Sequence, residues 1–205
     1  RIFFNPHDEN EVWVTSFGNG IRKGFTVPPP LNLNVTLGIE GFWNGAIQVQ
    51  DTMKIYLQNN VSPYETIDSV NVLLNNQGNA YAQFSNAVNG NYFIRFEHRN
   101  ALETWSAVAV TLSAGQTTSL DMTSSQSQAF GNNMKLIGSR WTFHSGDVNR
   151  DGIIDGNDLG IIDNDAAGFI GGYVPADLDG NEFVDATDLC IADNNSLNFV
   201  SVVEP

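Results

Sequence analysis

The sequence predicts a mainly β protein, in which an antiparallel β-sandwich is followed by a small helical region of two loop–helix repeats. Three observations support this prediction. Short segments in which apolar and polar residues alternate recur along residues 31–145. Turns rich in Asn and Gly separate these segments at regular intervals. Two acidic stretches of matching spacing, thirty residues apart, then follow within residues 146–205.

Residues 1–27 form the first predicted unit, an N-terminal segment of extended strands. Apolar strands are expected at 2–4 and 12–17, with a turn at Asn5 and Pro6 between them and a Gly-Asn-Gly turn after the second. The segment resembles the closing strands of a β-propeller blade, where an Asn-Pro turn precedes a strand ending in Gly-x-Gly. A lone hairpin is barely stable in water, so its apolar side chains need a cover.

Residues 28–30 are three consecutive prolines, which form a stiff polyproline spacer. We expect this spacer to hold the N-terminal segment away from the rest of the chain. The cover for the apolar strands stays open at this point. It is the sandwich below, an upstream domain or a neighbouring subunit.

Residues 31–145 are predicted to form the antiparallel sandwich. Apolar residues alternate along the first strand, and further strands are expected at 53–57, 69–74, 80–84, 92–98, 105–112 and 136–144. The stretch 90–100, followed by Leu102 to Trp105 and a Ser, resembles the Ig-like or transthyretin-like sandwich modules of secreted multidomain bacterial proteins. That resemblance implies a fold and says little about function.

Residues 146–205 contain two twelve-residue stretches with oxygen-bearing side chains at positions 1, 3, 5, 9 and 12. This is the spacing of a calcium loop, in which a hard cation takes six to eight oxygens and position 7 supplies its carbonyl. We therefore predict two bound calcium ions. The predicted ligands are Asp147, Asn149, Asp151, Ile153, Asp155 and Asp158 in the first loop, and Asp177, Asp179, Asn181, Phe183, Asp185 and Asp188 in the second.

The repeat continues beyond the ligands, so that each loop leads into a short helix with an apolar face. An aromatic residue, expected to be an anchor, follows each helix at Phe169 and Phe199. On these features the region resembles a type I dockerin, the duplicated calcium module of secreted polysaccharide-degrading systems. The resemblance implies two calcium ions and, in that family, a cohesin as partner.

Two features depart from the dockerin pattern. Glu182 replaces the Gly expected at position 6 of the second loop, where a side chain costs roughly 1 kcal/mol, so we expect the second site to be weaker. The positions that dockerins use to recognise cohesin are 156–157 and 186–187 here, and they do not form a matched Ser/Thr pair. The strand that ends near Ser145 runs directly into the first loop, so we expect the repeats to pack on the sandwich.

Composition excludes several classes of function. The net charge is −14, and about half of the acids lie in the calcium repeats. Nine Lys and Arg without a basic cluster argue against nucleic-acid binding, and no apolar run is long enough to span a membrane.

The single Cys190 forms no internal disulfide and is expected to be a buried thiol. Aspartate-rich calcium loops suit extracellular calcium, so we expect a secreted or cell-surface protein, trimmed from a longer precursor.

No catalytic residues are predicted, and the chain is not expected to be an enzyme. Its three histidines lie on separate elements, and no two of its strand carboxylates are brought together by the sequence. Five aromatics, at 13, 43, 56, 64 and 105, are expected to be core or interface residues rather than a sugar-stacking platform. Thr52 and Ser69 follow an Asp and precede an apolar residue, as in the O-glycosylation sites of some secreted bacterial proteins.

These expectations favour a non-catalytic, calcium-stabilised structural protein outside the cell. In this hypothesis it self-associates into a fibre by head-to-tail packing or strand exchange of residues 1–27. The alternative is a dockerin-type adaptor, or the carbohydrate-binding tail of a larger secreted hydrolase, with a cohesin or a glycan as its partner.

Overall fold

The computed structural model describes residues 1–26 and 29–205, and this part of the chain is mainly β, with thirteen strands and two α-helices. Val27 and Pro28, at the predicted spacer, lie outside the described residues. Within the described ranges, no helix has both the length and the hydropathy needed to cross a bilayer.

The N-terminal segment is a three-stranded antiparallel sheet. Its strands are β1 (Ile2–Asn5), β2 (Asp8–Ser16) and β3 (Gly20–Phe25), with β2 in the centre. Only the first two of these strands were predicted from the sequence. The third strand was missed because Arg22, Lys23 and Gly24 interrupt its apolar pattern, yet it pairs with β2 over its whole length.

Both faces of this N-terminal sheet carry exposed apolar side chains. On one face Ile2 lies opposite Val14, and on the other Phe3 lies opposite Trp13; all four are exposed. Phe17, at the turn before β3, is fully exposed. No hydrogen bond or ion pair joins residues 1–26 to the described residues from 29 onward.

The body of the protein is a two-sheet sandwich. One sheet has the order β10-β8-β5-β6, with β9 also paired to β8, and the other has the order β11-β4-β7. Large apolar side chains from both sheets fill the space between them and are fully buried. The strands are β4 (Leu31–Thr36), β5 (Asp51–Asn59), β6 (Thr66–Leu74), β7 (Asn79–Phe84), β8 (Gly90–Glu97), β9 (Thr104–Trp105), β10 (Val110–Leu112) and β11 (Thr117–Asp121).

The sandwich is not wholly antiparallel, which corrects the prediction. Strand β11 lies parallel to β4, with Thr117 beside Asn32 and Asp121 beside Thr36. The connection from β10 carries the chain from one sheet to the other, and this crossover sets the direction of β11. The segment predicted at 105–112 is two short strands, and the one at 136–144 is a hairpin of β12 (Lys135–Ile137) and β13 (Arg140–Thr142).

A helix begins after each acidic loop. Helix α1 (Gly156–Ala167) is capped by Asp155 and helix α2 (Ala186–Ser196) by Asp185, each within a capping box. The segment after each helix pairs with the opposite loop. Ile154 N donates to the Val200 carbonyl (2.9 Å), and Val184 N donates to the Ile170 carbonyl (3.0 Å). Neither repeat is therefore complete without the other.

Two details of the repeats differ from what the sequence predicts. Phe169 and Phe199 are 93% and 86% exposed, so they are not buried anchors. Both adopt a φ of 53°, in the left-handed region, in the turn that follows each helix. Cys190 is exposed rather than buried. The buried positions of α2 are 188, 192 and 195, and residue 190 lies on the opposite face of a helix with 3.6 residues per turn.

The repeats contact the sandwich through α2 and through the second loop, as expected from the direct connection between them. Asn195 Nδ2 donates to Glu40 Oε2 (2.6 Å) and to the Ser145 carbonyl (2.7 Å), and all three residues are buried. Lys135 also donates to Glu40. At Gly41, which has a φ of 79°, a Cβ would lie 2.2 Å from the Leu178 carbonyl oxygen, so only glycine permits this approach.

Candidate metal centres

The two acidic loops each gather three carboxylates around one point. In the first loop these are Asp147, Asp151 and Asp158, whose oxygens lie within 4.8 Å of one another. Asp177, Asp179 and Asp188 do the same in the second loop. The carboxylates at positions 1 and 12 are buried in both loops, and such charges are costly to bury unless a cation or hydrogen bonds compensate them.

The acid at position 12 organises each loop. In the first loop, Asp158 Oδ1 accepts from Val148 N (2.9 Å) and Asn149 N (3.2 Å), while Oδ2 accepts from Asp155 N (3.0 Å). Asp188 accepts from the equivalent amides of the second loop. This carboxylate thus joins the start of the loop to the first turn of the following helix.

Asp147 provides the strongest sign that these carboxylates could hold a cation. Its Oδ2 accepts from Gly152 N (3.2 Å), but its Oδ1 has no hydrogen-bond partner although the residue is only 3% exposed. A buried polar atom left unpaired costs about 1–3 kcal/mol. A divalent ion among Asp147, Asp151 and Asp158 would remove this cost, so the donor set fits such an ion.

The pKa values of the loop acids point the same way. Burial, then the charge of Asp158, raises the pKa of Asp147 to about 6. Burial is also the main cause that raises the pKa of Asp158, Asp179 and Asp188, against the opposing effect of their backbone N–H donors. A bound cation reverses this tendency and favours the ionised carboxylates.

The other predicted ligands take more local roles. Asn149 Oδ1 accepts from Asp151 N (2.8 Å), and Asn181 Oδ1 accepts from Phe183 N (2.8 Å), so these side chains follow the curve of the loops. Asp155 and Asp185, at position 9, accept from amides of the first helical turn and stand outside the three-carboxylate clusters.

The residue at position 7 of each loop forms a β-bridge, in addition to its predicted role as a carbonyl ligand. Ile153 and Phe183 form β-bridges with the segment after the opposite helix, and their side chains are exposed. Position 6 has a positive φ in both loops, 86° at Gly152 and 70° at Glu182. The expected strain at Glu182 is therefore present, while the weaker affinity of the second loop stays a prediction.

The remaining candidate residues are scattered. Thr52 and Ser69 are exposed, on β5 and β6, so the two predicted glycosylation positions are accessible. His98 and His144 are largely buried in polar clusters between the sandwich and the repeats, and burial lowers the pKa of His144. Of the five aromatics, Trp43, Tyr56 and Trp105 are buried, so the five do not form one exposed platform.

The polar residues that meet across the boundary between the sandwich and the repeats were not predicted from the sequence. Glu40 and Asn195 form one such group, and Asp51 and Arg99 belong to another. No sequence motif marks these contacts, because the partners are far apart in the chain. Only the tertiary structure brings them together.

No protein-family model matches this sequence, and no curated protein matches it. Two similar solved structures are mutants, at the C-terminal and N-terminal interfaces, of a type II cohesin–X–dockerin complex from Acetivibrio cellulolyticus. The matched chains are 14% and 15% identical, with TM-scores of 0.48 and 0.45, and each match covers 82% of this chain and 99% of that chain. Scores this low leave the fold to rest on the strands and helices described above.

Proposed function

We propose that this chain is a non-catalytic, extracellular structural protein whose dockerin-like repeats are stabilised by two calcium ions. The observation that carries the calcium proposal is the unpartnered, buried Oδ1 of Asp147 beside two further carboxylates. Calcium supplies the positive charge that keeps such buried carboxylates ionised.

The three gathered carboxylates and the loop spacing support one set of ligands. In the first loop, Asp147, Asp151 and Asp158 would supply carboxylate oxygens, and Asn149 and Ile153, at positions 3 and 7, would supply an amide oxygen and a carbonyl. Asp155 acts from the helix cap, through a water molecule, as position 9 often does. The second loop uses the equivalent residues. A bound ion would fasten each loop to the helix that follows it.

Calcium titration calorimetry tests this proposal. We expect two ions per chain, one ion in the D158A variant and one in the D188A variant. Chelation should lower the melting temperature and increase amide hydrogen exchange within residues 146–205. Absence of calcium binding at millimolar concentration, with a chelator-insensitive melting temperature, would refute the calcium role.

The assembly part of the proposal rests on the N-terminal sheet. Its apolar side chains are exposed on both faces, and burying one large apolar side chain contributes about 1.5–3 kcal/mol. A neighbouring copy is the cover we favour, because a heterologous contact between identical chains continues into a filament. Strand addition at β1 or β3, the two edges of this sheet, would also pair their free backbone groups.

Sedimentation in calcium-containing buffer tests the assembly. The full chain should form large particles, and a chain lacking residues 1–27 should be a soluble monomer with an unchanged calcium stoichiometry. The point variant F17S is a milder test, because Phe17 lies at an exposed turn and its loss leaves all three strands intact. A full chain that stays monomeric at high concentration would refute assembly and leave the calcium sites untouched.

One observation favours the alternative of a dockerin-type adaptor. A groove of about 450 Å³ lies between the two helices, with Leu159 and Leu189 as its apolar lining and Asp163 and Asp193 as its acids. Such a surface suits a protein partner. Calcium-dependent retention of a cohesin would support the adaptor, and retention on an insoluble polysaccharide would instead support a carbohydrate-binding tail.

A further inference from the structure

We infer that Arg99 is a positioning residue for Asp177, the first predicted ligand of the second calcium loop, and that the sandwich thereby sets the calcium affinity of that loop. The inference rests on the proposed calcium sites and goes beyond them. It assigns part of one metal site to residues that lie about eighty positions away in the sequence, in the turn after β8.

Arg99 is nearly buried, at 8% exposure, and its guanidinium has a partner in each direction. Nε donates to Asp51 Oδ2 (2.8 Å), one terminal nitrogen donates to the Val174 carbonyl, and the other lies 3.4 Å from Asp177 Oδ2. The guanidinium also stacks 4.5 Å from the centre of the Tyr173 ring. A planar fork held at this many points has little freedom to move.

The residue after Arg99 contacts the main chain of Asp177. Asn100 Nδ2 donates to the Asp177 carbonyl oxygen (2.8 Å). Two consecutive residues of the sandwich therefore hold the side chain and the main chain of Asp177. The loop itself adds donors to that carboxylate from Gly180 N (2.9 Å) and Glu182 N (3.3 Å).

The first loop lacks this arrangement. Asp147, which occupies the same place in the first repeat, leaves one buried oxygen without a partner, whereas both oxygens of Asp177 are bonded. The first loop contains its own arginine, Arg150 at position 4, whose side chain contacts Glu97 of the sandwich (3.2 Å) instead of a loop carboxylate. The two repeats match in sequence, but the sandwich supports only the second of these ligands.

The charge of Arg99 would by itself repel a calcium ion. Asp51 offsets it, because this buried carboxylate accepts from Arg99 and from the Tyr173 hydroxyl (2.6 Å) and lies 3.2 Å from His98 Nε2. The guanidinium thus acts mainly as a rigid donor that fixes the direction of Asp177. Residues that orient a metal ligand in this way typically change metal affinity about 10–100-fold when removed.

The test compares the R99M and R150M variants with the wild type. R99M keeps the apolar stem beside Tyr173 and removes every donor. R150M makes the same change in charge within the first loop, at a side chain that contacts Glu97 and no loop carboxylate. Calcium is titrated alone, by calorimetry and by amide NMR shifts of Gly152 and Glu182, which report on the separate loops. We expect R99M to lower the calcium affinity of the second loop about 10–100-fold and to leave that of the first loop unchanged. We expect R150M to change the calcium affinity of either loop by less than about threefold.

The R99K variant separates positioning from charge and guards against misfolding of R99M. Lysine keeps the charge but cannot reach Asp51 and Asp177 together, so the calcium affinity of the second loop should still fall. Equal affinities in the wild type, R99M and R99K, or an equal loss at both loops, would overturn the inference while the calcium sites stand. A wild type in which Glu182 does not respond to calcium would overturn the inference and the second proposed site together.

Discussion

Replacement of Asp147 by Asn should stabilise the metal-free protein and reduce its stabilisation by calcium. Burial and the neighbouring Asp158 raise the pKa of Asp147 from its ordinary 3.8 to about 6. Each tenfold change in proton affinity corresponds to about 1.4 kcal/mol, so at neutral pH the charge costs the folded protein up to about 3 kcal/mol. Partial hydration of the carboxylate lowers this figure to about 2 kcal/mol, which D147N should recover when calcium is chelated.

Calcium should change the difference in stability between D147N and the wild type. An ion at about 100 times its dissociation constant stabilises the folded state by about 2.7 kcal/mol. D147N replaces a charged ligand by a neutral one, so it should lose most of this gain at the first loop. The advantage over the wild type that the variant shows in chelator should therefore disappear in millimolar calcium.

Urea unfolding in chelator and in millimolar calcium measures both effects. The matched control is D193N, which removes the same charge from an exposed position on α2 and should stay within about 0.5 kcal/mol of the wild type in both buffers. If D147N is destabilised in chelator, the carboxylate is not a strained, charge-bearing group. If D147N keeps the full calcium gain, Asp147 is not a ligand.

Three further outcomes follow from the same structure. In chelator, the stability advantage of D147N should shrink as the pH falls from about 7 to about 4, because the folded wild type binds a proton at Asp147 above the pKa of the unfolded chain; unfolding at several pH values measures it. N195D should cost about 3 kcal/mol, since it buries a second carboxylate against Glu40, as urea midpoints will show. E182G should stabilise the second loop by roughly 1 kcal/mol by relieving its positive φ, and G152A should have the opposite effect on the first.

Each of these outcomes has a clear contrary result. A pH-independent difference between the wild type and D147N would contradict the raised pKa. For N195D the control is N194D, on an exposed position of the same helix, and equal effects of the two would contradict a specific clash. Weaker calcium binding by E182G would show that the Glu182 side chain helps the loop more than its backbone strain harms it.

The main features of the repeats could be predicted from the sequence because they depend on residues close together in the chain. The spacing of Asp147, Asp151 and Asp158 predicted which carboxylates meet, and the structure gathers these three oxygens within 4.8 Å. Helix starts were also predictable, because the loop acids that precede α1 and α2 cap them. The alternation of apolar residues predicted most sandwich strands, since side chains on successive strand residues face opposite sides.

The tertiary structure decided everything that depends on residues far apart in the chain. The parallel pairing of β11 with β4 follows from a crossover between sheets, and the exposure of Cys190 follows from which face of α2 meets the core. The contact of Arg99 with Asp177 joins two segments whose own sequences give no sign of it. Ligand spacing is set by bonds along a short loop, whereas the support of those ligands is set by packing between distant surfaces, and packing has no local pattern to read.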